Sequence, residues 1–505
     1  MDILGIVTLF GGLALFLYGM KEMSDSLMLV SGSRLKVMLE RMTSNPIKAV
    51  FLGAGVTAVI QASAATTVMV VGLVNAGLLP LSQTVGLIMG ANIGTTVTAW
   101  ILSLGTLGAQ NAYLQVLNPS FFVPLIAIVS VAFMMFVKDE RKRNVSRILV
   151  GFAILLFGMQ TMSGAMIPLS EHPAFAQLFI RFTNPILGML VGALLTAIIQ
   201  SSSASIGILQ AFTLTGAVTY GAAIPIIMGQ NIGTCVTALT SSINTTKNAK
   251  RAALIHLFFN VLGTVVFMSG FYLINLIRPF SFLNQTPTAI DIAIVNTVYK
   301  VSATALFLPF RDGLVRFVTW LTPVKEGEQF DLLEEVSVFA ALDERFLETP
   351  GFAVSQSRQL TNQMAELVLK QYRISAGLLD VYDGQKLRDS KQMEDLVDQF
   401  EDQLGTYMVQ ISARQLTDRE KRILTQLMQS LSDFERISDH ALSIAISAKE
   451  MSDKQICFSD AAISELAIYK QAVGQLLDTT VEAFIKEDLE LATHVEPLEE
   501  VVDEL

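Results

Sequence analysis

Two long stretches of this chain contain no charged side chain. Residues 49–137 and 182–246 contain no Lys, Arg, Asp or Glu. A helix that crosses a lipid bilayer needs about 20 apolar residues, so each stretch has room for several membrane segments. The helices of a large soluble protein would instead carry charged side chains on their solvent-facing sides. We therefore predict an all-α, polytopic membrane protein.

The charges that do occur are unevenly divided between two parts of the chain. Residues 1–310 hold 16 basic and 8 acidic side chains, whereas residues 311–505 hold 19 basic and 37 acidic ones. An apolar, basic part followed by a polar, acidic part indicates a membrane part and a water-soluble part. We predict a membrane domain over 1–310, a linker over 311–349 and a soluble domain over 350–505.

The sequence matches itself when it is shifted by 139 residues. Apolar helices share Leu and Val by chance, but they do not share Gln, Asn, Pro and Gly in a fixed register. The matched segments are NPI at 45 on NPI at 184, TAVIQASAAT at 57 on TAIIQSSSAS at 196, and IMGANIGTTVTA at 88 on IMGQNIGTCVTA at 227. We predict two copies, about 1–135 and 140–275, with a further helix at 291–310.

The basic residues indicate that the two copies have opposite orientations. The segment after the first helix carries Arg34, Lys36 and Arg41, whereas its counterpart at 170–187 carries only Arg181. Basic loops stay on the cytoplasmic side of a membrane, so the copies form an inverted repeat. This orientation predicts seven crossings of the inner or plasma membrane, with the N-terminus outside and the acidic domain in the cytoplasm.

Polar residues interrupt an apolar stretch in the middle of each copy. The interruption lies at 61–67 in the first copy and at 200–205 in the second. Each flanking arm has about 14 residues, which at about 1.5 Å per residue covers only part of the hydrocarbon core. We predict a re-entrant helical hairpin in each copy, with its polar tip lining a cavity at the membrane midplane. A single long helix whose hydroxyls pack against other helices is the alternative.

The runs GANIGTT at 90–96 and GQNIGTC at 229–235 lie in the middle of apolar helices. Gly and Asn are poor residues for a helix interior, so we predict that both helices are broken there. A broken helix offers free amides to an anion, and its carbonyls and hydroxyls can bind a sodium ion.

The tips and the breaks contain no charged residue. An anion bound there would need co-bound cations to offset its charge. Because the repeated core offers no Asp, Glu or His to carry a proton, we expect sodium as the coupling ion.

These motifs resemble those of the type II sodium/phosphate cotransporter family, in which a QSSS hairpin precedes an IMGxNIGT run and the pair is repeated. Bacterial members often carry a C-terminal domain similar to PhoU, and the resemblance covers nearly the whole chain. It implies sodium-driven movement of inorganic phosphate across the cell membrane by a homodimer. No nucleophile–base pair, P-loop or dinucleotide motif favours an enzyme, and no nucleic acid is expected as a partner.

The resemblance also implies which residues bind the transported ions. The expected phosphate ligands at the tips are Gln61, Ser63, Thr66, Gln200, Ser201, Ser202 and Ser203. The expected sodium ligands are Thr67, Asn92, Thr95, Thr96, Ser205, Asn231, Thr234 and Thr237. Ala62 and Ala64 stand where the family motif has serines, which removes two ligands from the first tip.

Two further polar residues of the membrane part depart from an apolar background. Lys300 stands where the family more often has Asn, and we interpret it as a base that extends towards the outer surface. A charge that substitutes for another group is the alternative for Lys300. We interpret His256 as a hydrogen-bonded residue of helix packing rather than as a substrate ligand.

The acidic domain shows apolar residues at three- and four-residue spacing, which predicts an antiparallel bundle of helices. The four predicted helices lie near 354–379, 386–413, 417–451 and 459–486. Glu394 with Asp398, and Glu435 with Asp439, form carboxylate pairs at i, i+4 spacing that repel unless they share a cation. The resemblance to PhoU implies a divalent or transition metal there, and a solvated acidic face is the alternative.

Two other functions fit parts of this pattern. A sodium-coupled carrier of sulfate or a dicarboxylate could use the same dipoles and hydroxyls. A membrane-anchored regulator could act mainly through the PhoU-like domain. Polar tips in both copies favour transport, because a membrane anchor does not need them.

The predicted orientation can be tested by cysteine labelling from the two sides of the membrane. A cysteine at Ser33 is expected to react only from the cytoplasm, and one at His172 only from outside, because the basic residues near them differ. The measurement is labelling by a membrane-impermeant maleimide in right-side-out and inverted vesicles. Labelling of both positions from the same side would make the copies parallel.

Overall fold

The computed structural model describes residues 3–40, 45–104, 106, 119–170, 182–323 and 338–505. All regular secondary structure in these residues is helical, which confirms the all-α prediction. The chain forms two compact units. One holds the described residues up to Pro323 together with Asp343–Thr349, and the other holds the remainder, chiefly Pro350–Leu505.

The first unit contains the helices of both sequence copies. In the first copy these are α1 (Ile3–Glu40), α2 (Pro46–Ile60), α3 (Ser63–Asn75), α4 (Leu81–Gly94), α5 (Thr96–Leu104) and α6 (Pro119–Phe136). In the second copy they are α7 (Glu140–Ser170), α8 (Pro185–Ile199), α9 (Ser202–Thr213), α10 (Tyr220–Gly233), α11 (Cys235–Ser241) and α12 (Lys247–Ile277). Two more helices follow, α13 (Ala289–Phe307) and α14 (Arg311–Leu321).

Six helical spans in the described residues are long and apolar enough to cross a membrane. They are Leu4–Val30, Leu81–Leu104, Glu140–Met166, Tyr220–Ser241, Lys247–Ile277 and Ala289–Leu321. The seventh predicted crossing corresponds to α6, which has 18 residues and belongs to the shorter apolar helices. These spans make the chain a membrane protein, while its orientation in the membrane stays a prediction.

Equivalent helices of the two copies begin and end in the same way. The side chains of Asn45 and Asn184 cap α2 and α8 by accepting bonds from two backbone amides each. Buried hydroxyls then join each arm to the next. Thr57 donates to Thr66 at 3.0 Å in the first copy, and Thr196 donates to Ser205 at 2.8 Å in the second. The copies therefore share local structure as well as sequence.

The first helices of the two copies pack closely against each other at glycines. A Cβ atom on Gly12 would lie 3.0 Å from the carbonyl oxygen of Gly158, and one on Gly19 would lie 2.6 Å from that of Gly151. Because the earlier glycine of α1 faces the later glycine of α7, the two helices run antiparallel. The contacts are reciprocal, since a Cβ atom on Gly158 or Gly151 would likewise meet the carbonyl oxygen of Gly12 or Gly19. Such reciprocity is expected for a local two-fold axis. Inversion of the whole copies across a membrane stays a prediction.

The chain runs out and back between α2 and α4. A Cβ atom on Gly86 would lie 2.9 Å from the Pro46 carbonyl oxygen, and one on Gly90 would lie 2.0 Å from that of Val50. The α4 helix therefore runs parallel to α2 and begins beside its start, so the chain returns through α3. The second copy is alike, since a Cβ atom on Gly229 would lie 1.9 Å from the Met189 carbonyl oxygen. Entry of these hairpins from one side of a membrane stays a prediction.

The structure interrupts the helix in each predicted run, but it does not show the open break with free amides that the sequence predicted. Only Thr95 and Thr234 separate the paired helices, and both keep right-handed helical angles. Their amides still donate to carbonyls four residues earlier, and their hydroxyls donate to carbonyls three residues earlier at 2.6 Å. The amides at these positions are therefore not free. The glycines of both runs allow close packing on the neighbouring helix instead, as small residues do in membrane proteins.

The second unit is built from four long helices, in agreement with the prediction to within a few residues. They are α15 (Pro350–Leu378), α16 (Gly384–Ser412), α17 (Asp418–Asp453) and α18 (Asp460–Lys486), followed by the short α19 (Leu489–Ala492) and α20 (Val495–Glu504). The buried side chain of Gln371 donates to the carbonyls of Ser390 at 3.3 Å and Ser438 at 3.1 Å. This one amide joins α15, α16 and α17.

A short segment within the predicted linker packs on the membrane unit. This return segment, Asp343–Thr349, contains one 3₁₀ turn at Glu344–Glu348. Asn75 Nδ2 at the end of α3 donates to Asp343 Oδ2 at 2.9 Å, and Arg345 Nε donates to the Ser241 carbonyl at 2.8 Å. The return segment therefore contacts the ends of α3 and α11.

Phe346 anchors the return segment, because its side chain is fully buried and its ring lies beside Gly72 of α3. Phe346→Ala is expected to cost about 3–5 kcal/mol, the usual loss for a buried phenylalanine, and to lower the melting temperature. Phe310→Ala is the matched control, since Phe310 is 65% exposed. The measurement is thermal unfolding of the full chain in detergent, and equal melting temperatures would contradict the assigned packing.

Candidate functional site

The two hairpin tips line one cavity of about 220 Å³. A single water needs roughly 15 Å³, so the cavity has room for a small oxyanion with accompanying ions. Its lining comprises residues 61–64 and 200–203 from the tips, Thr234 and Thr237 from the second NIGT region, and Met20, Lys21, Ser24 and Asp25 from α1. The structure thus brings together two chain segments that are 139 residues apart.

Each tip is formed by a glutamine in the left-handed backbone region. The φ angles are 57° at Gln61 and 56° at Gln200, which is uncommon for residues other than glycine and marks a constrained position. The backbone amides of Gln61 and Gln200 donate to the carbonyls of Thr57 and Thr196 at 2.7 Å, and the first arm of each hairpin ends there. The next helices begin two residues later, at Ser63 and Ser202.

The starts of α3 and α9 give the cavity a positive potential. The first amides of a helix lack partners within the helix, and the dipole places partial positive charge there. Residues Ser63 and Ala64 of one helix and Ser202 and Ser203 of the other line the cavity. Two helix starts at one cavity form an arrangement that favours an anion.

Two buried polar atoms at the cavity have no hydrogen-bond partner among the described residues. They are Gln61 Oε1 and Ser202 Oγ, one from each tip. Buried polar atoms are nearly always satisfied, so their free bonding capacity points to a ligand. The amide oxygen can only accept a hydrogen bond or contact a cation, whereas the hydroxyl can also donate a hydrogen bond. The pair therefore fits an oxyanion that carries a proton or a bound cation.

Most of the predicted phosphate ligands line the cavity. Gln61, Ser63, Gln200, Ser201, Ser202 and Ser203 are there, and Thr66 is not. The Thr66 hydroxyl instead accepts a bond from Thr57 and donates to the Ala62 carbonyl at 3.3 Å. Ser201 Oγ accepts from the Ala204 amide at 3.2 Å, so this hydroxyl also caps α9. The first tip has Ala62 at that position and lacks a side-chain cap.

Two of the eight predicted sodium ligands line the cavity, and both belong to the second copy. Thr234 and Thr237 line the cavity, whereas Thr67, Asn92, Thr95, Thr96, Ser205 and Asn231 do not. The Asn92 and Asn231 amides donate to carbonyls four residues earlier in the same helix. Thr95 and Thr98 are the first-copy counterparts of the two lining threonines, so the cavity is asymmetric where the sequence is symmetric.

The cavity also has charged lining residues that the sequence analysis missed. Lys21 and Asp25 contribute from α1, and between them Ser24 Oγ donates to the Ile60 carbonyl at 3.1 Å, which ties α1 to the first tip. The expectation of a site without charge is therefore wrong. The argument that the site has no carboxylate to carry a proton is also wrong, because Asp25 lines the cavity. The available signal was a Lys and an Asp at i, i+4 spacing in an apolar helix, where charges are rarely accidental.

Lys300 lies in the interior rather than at the surface. Its side chain is only 3% exposed, and Nζ donates to Thr95 Oγ1. The interpretation of Lys300 as a base extending to the outer surface is therefore wrong. His256 is equally buried, but its Nδ1 has no hydrogen-bond partner among the described residues. The hydrogen-bonded packing role expected of this imidazole is not seen at Nδ1.

The carboxylates of the second unit interact without forming a ready metal site. Burial and neighbouring carboxylates raise the pKa values of Glu394, Asp398 and Glu435, with Asp439 among those neighbours. Within the described ranges, no three or more Asp, Glu, His or Cys side chains are close enough to hold one ion. The metal site stays a prediction, which titration of the protein with Mn²⁺ would test.

Comparison with known proteins finds a relative that matches nearly the whole chain. The chain is 24% identical over 482 residues to YjbB of Escherichia coli (strain K12), named provisionally as an inorganic phosphate export protein, and the match covers 94% of this chain and 84% of that protein. YqeW of Bacillus subtilis (strain 168) is 29% identical over 318 residues, 61% of this chain and 96% of that protein. No solved structure is significantly similar to the chain.

A shorter match concerns a human protein. Sodium-dependent phosphate transport protein 2B of Homo sapiens is 38% identical over 92 residues, which are 17% of this chain and 13% of that protein. Family models match on either side of the predicted linker. The Na⁺/Pi-cotransporter model matches residues 15–164 and 167–283, and the PhoU domain model matches residues 361–448.

Members of the first of these families are transporters rather than enzymes. Because its model covers more than half of the chain, this protein belongs to the Na⁺/Pi-cotransporter family.

Proposed function

We propose that the chain carries inorganic phosphate across the cell membrane together with sodium, and that phosphate binds between the tips of α3 and α9. The observation that carries this proposal is the pair of unsatisfied atoms, Gln61 Oε1 and Ser202 Oγ, at two helix starts that line one cavity. Helix starts favour the anion, and Lys21 adds a positive charge. Names of the relatives, phosphate export and sodium-dependent phosphate transport, support the substrate and the ion.

Phosphate fits the lining better than sulfate does. At neutral pH phosphate keeps a proton that it can donate, whereas sulfate has none. Gln61 Oε1 is an acceptor without a partner, so a sulfate oxygen would face another lone pair. Buried polar groups left unpaired in this way discriminate strongly against the wrong ligand. A dicarboxylate would require a longer cavity with two separate anion sites.

Sodium is the coupling ion that the lining supports. A hard cation prefers oxygen ligands, and Thr234 and Thr237 bring hydroxyls to the same cavity as the helix starts. A sodium ion there would offset the charge of the bound anion where water is scarce. The direction of net transport would then follow the combined gradients, so export and import are two conditions of one carrier.

The remaining parts of the proposal concern assembly and orientation. A membrane-anchored regulator would have no use for unsatisfied atoms in an intramembrane cavity, so we favour transport with regulation by the PhoU domain. An N-terminus outside, the PhoU domain in the cytoplasm and a homodimer complete the proposal. Cross-linking in native membranes tests the dimer.

The coupling ion can be tested with phosphate uptake by the purified chain in liposomes. Uptake is expected to require external sodium, because the anion cannot cross without charge compensation. Asp25→Asn is expected to retain this sodium dependence, which separates sodium from proton coupling at the nearest carboxylate. Equal uptake from potassium buffer, or uptake by Asp25→Asn protein that no longer depends on sodium, would contradict sodium as the coupling ion.

The tips can be tested by removing one hydroxyl at a time. Ser202→Ala is expected to weaken phosphate binding by roughly 10- to 100-fold, because a hydrogen bond to a charged group contributes about 1.5–3 kcal/mol. Ser63→Ala is expected to weaken it at least as much, since the first tip already has alanine at Ala62 and Ala64. Adding the hydroxyl with Ala64→Ser is expected to be tolerated.

Isothermal titration with phosphate in sodium buffer measures these effects. Ser281→Ala is the matched control, because Ser281 is exposed and lies outside the cavity. If Ser202→Ala and Ser63→Ala both bind phosphate like the control, the cavity between the tips is not the substrate site.

A further inference from the structure

The environment of Lys300 is unusual for a buried lysine. Among the described residues its ammonium forms no ion pair with a carboxylate, and its assigned partner is the Thr95 hydroxyl. An isolated charge inside a protein is costly, and charged residues within membrane segments usually have a function. Packing alone does not explain this side chain, because a neutral residue would pack without that cost.

The segments joined by the bond between Lys300 and Thr95 also carry buried oxygens that lack hydrogen-bond partners among the described residues. Asn296 Oδ1 and Thr304 Oγ1 are buried without partners among the described residues, and they lie one turn before and one turn after Lys300 on α13. Residues four apart share a helix face. Thr98 Oγ1, one turn beyond Thr95 in sequence, is also buried and unsatisfied. Unsatisfied oxygens are the kind of ligand that a hard cation prefers.

The two copies differ at this place. In the second copy Thr234 and Thr237 line the cavity between the tips, whereas the equivalent Thr95 and Thr98 of the first copy do not. Thr95 is instead bonded to Lys300. The Lys300 ammonium, a cation attached to the chain, is thus bonded to Thr95, the first-copy equivalent of the cavity-lining Thr234.

We infer that the Lys300 ammonium takes the place of one sodium ion in this carrier. This inference rests on the proposed sodium-coupled phosphate transport. The tethered charge compensates part of the phosphate charge in every transport cycle and never dissociates. Sodium is then needed only on the side of Thr234 and Thr237. The carrier moves one sodium ion fewer per phosphate than two equivalent copies would require.

The test compares three substitutions of Lys300 in the purified full chain. Lys300→Asn shortens the side chain and adds an oxygen ligand, so a sodium ion can occupy the freed space. Lys300→Met fills the space with a neutral chain that binds no cation. Lys300→Gln is a second neutral variant for the case in which the methionine variant does not fold. Lys250→Asn is the control, because Lys250 is exposed and lies outside the cavity.

Phosphate affinity by titration and phosphate uptake into liposomes are both measured over a range of sodium concentrations. For Lys300→Asn, the Hill coefficient for sodium is expected to rise by about one, because mass action then includes an additional ion. Saturating sodium is expected to restore its phosphate affinity. For Lys300→Met and Lys300→Gln, phosphate binding is expected to weaken about 10-fold or more at all sodium concentrations. The control is expected to behave like the parent.

Different results would overturn the inference and the proposed function. A sodium-dependent parent with unchanged phosphate affinity in folded Lys300→Met or Lys300→Gln protein would overturn only the tethered cation. An unchanged Hill coefficient in Lys300→Asn, with phosphate affinity that sodium does not restore, would also overturn it. Sodium-independent uptake by the parent would overturn both this inference and sodium coupling.

Discussion

Backbone contact at glycine is the constraint on which the site depends. The α4 helix meets α2 so closely that a Cβ atom on Gly90 would lie 2.0 Å from the Val50 carbonyl oxygen, and Gly229 repeats this contact in the second copy. The contact keeps α4 parallel to α2 from its first turns, so α3 must bring the chain back between them. A side chain at these positions would force the helices apart and move the tips with them. The glycines of the NIGT regions therefore serve packing rather than helix breaking.

Charge compensation would allow a cavity without charged tips to hold the proposed anion. The tips contribute helix starts and hydroxyls, which are dipoles and not charges. The full charges come from helices that flank the hairpins, with Lys21 and Asp25 on α1 at the cavity and Lys300 on α13 at the first NIGT region. A scaffold of dipoles with a few charges at its edge can bind an ion and still release it.

The second unit shows a different balance of polar forces. Its helices are joined by neutral hydrogen bonds such as those of Gln371, while burial and neighbouring carboxylates raise the pKa values of Glu394 and Glu435. Both effects make the ionised form less stable in the folded state, so a cation that bound there would stabilise the unit. The return segment shows that the chain contacts the membrane unit again between α14 and α15.

The sequence by itself determined the helices, the repeat and most of the tip residues, because hydrophobic period, polar interruptions and register are local properties of the chain. It identified Gln61 and Ser202 for this reason. It did not reveal Lys21 and Asp25 as cavity residues, nor the interior position of Lys300, because each depends on how a distant helix packs beside the tips. It also assigned Gly90 to a helix break, since the neighbouring carbonyl of Val50 is visible only in space. Only the tertiary structure decided which of the equivalent threonines line the cavity. Lys21 on α1 and Lys300 on α13 have no symmetric counterparts, so the surroundings of the two NIGT regions differ.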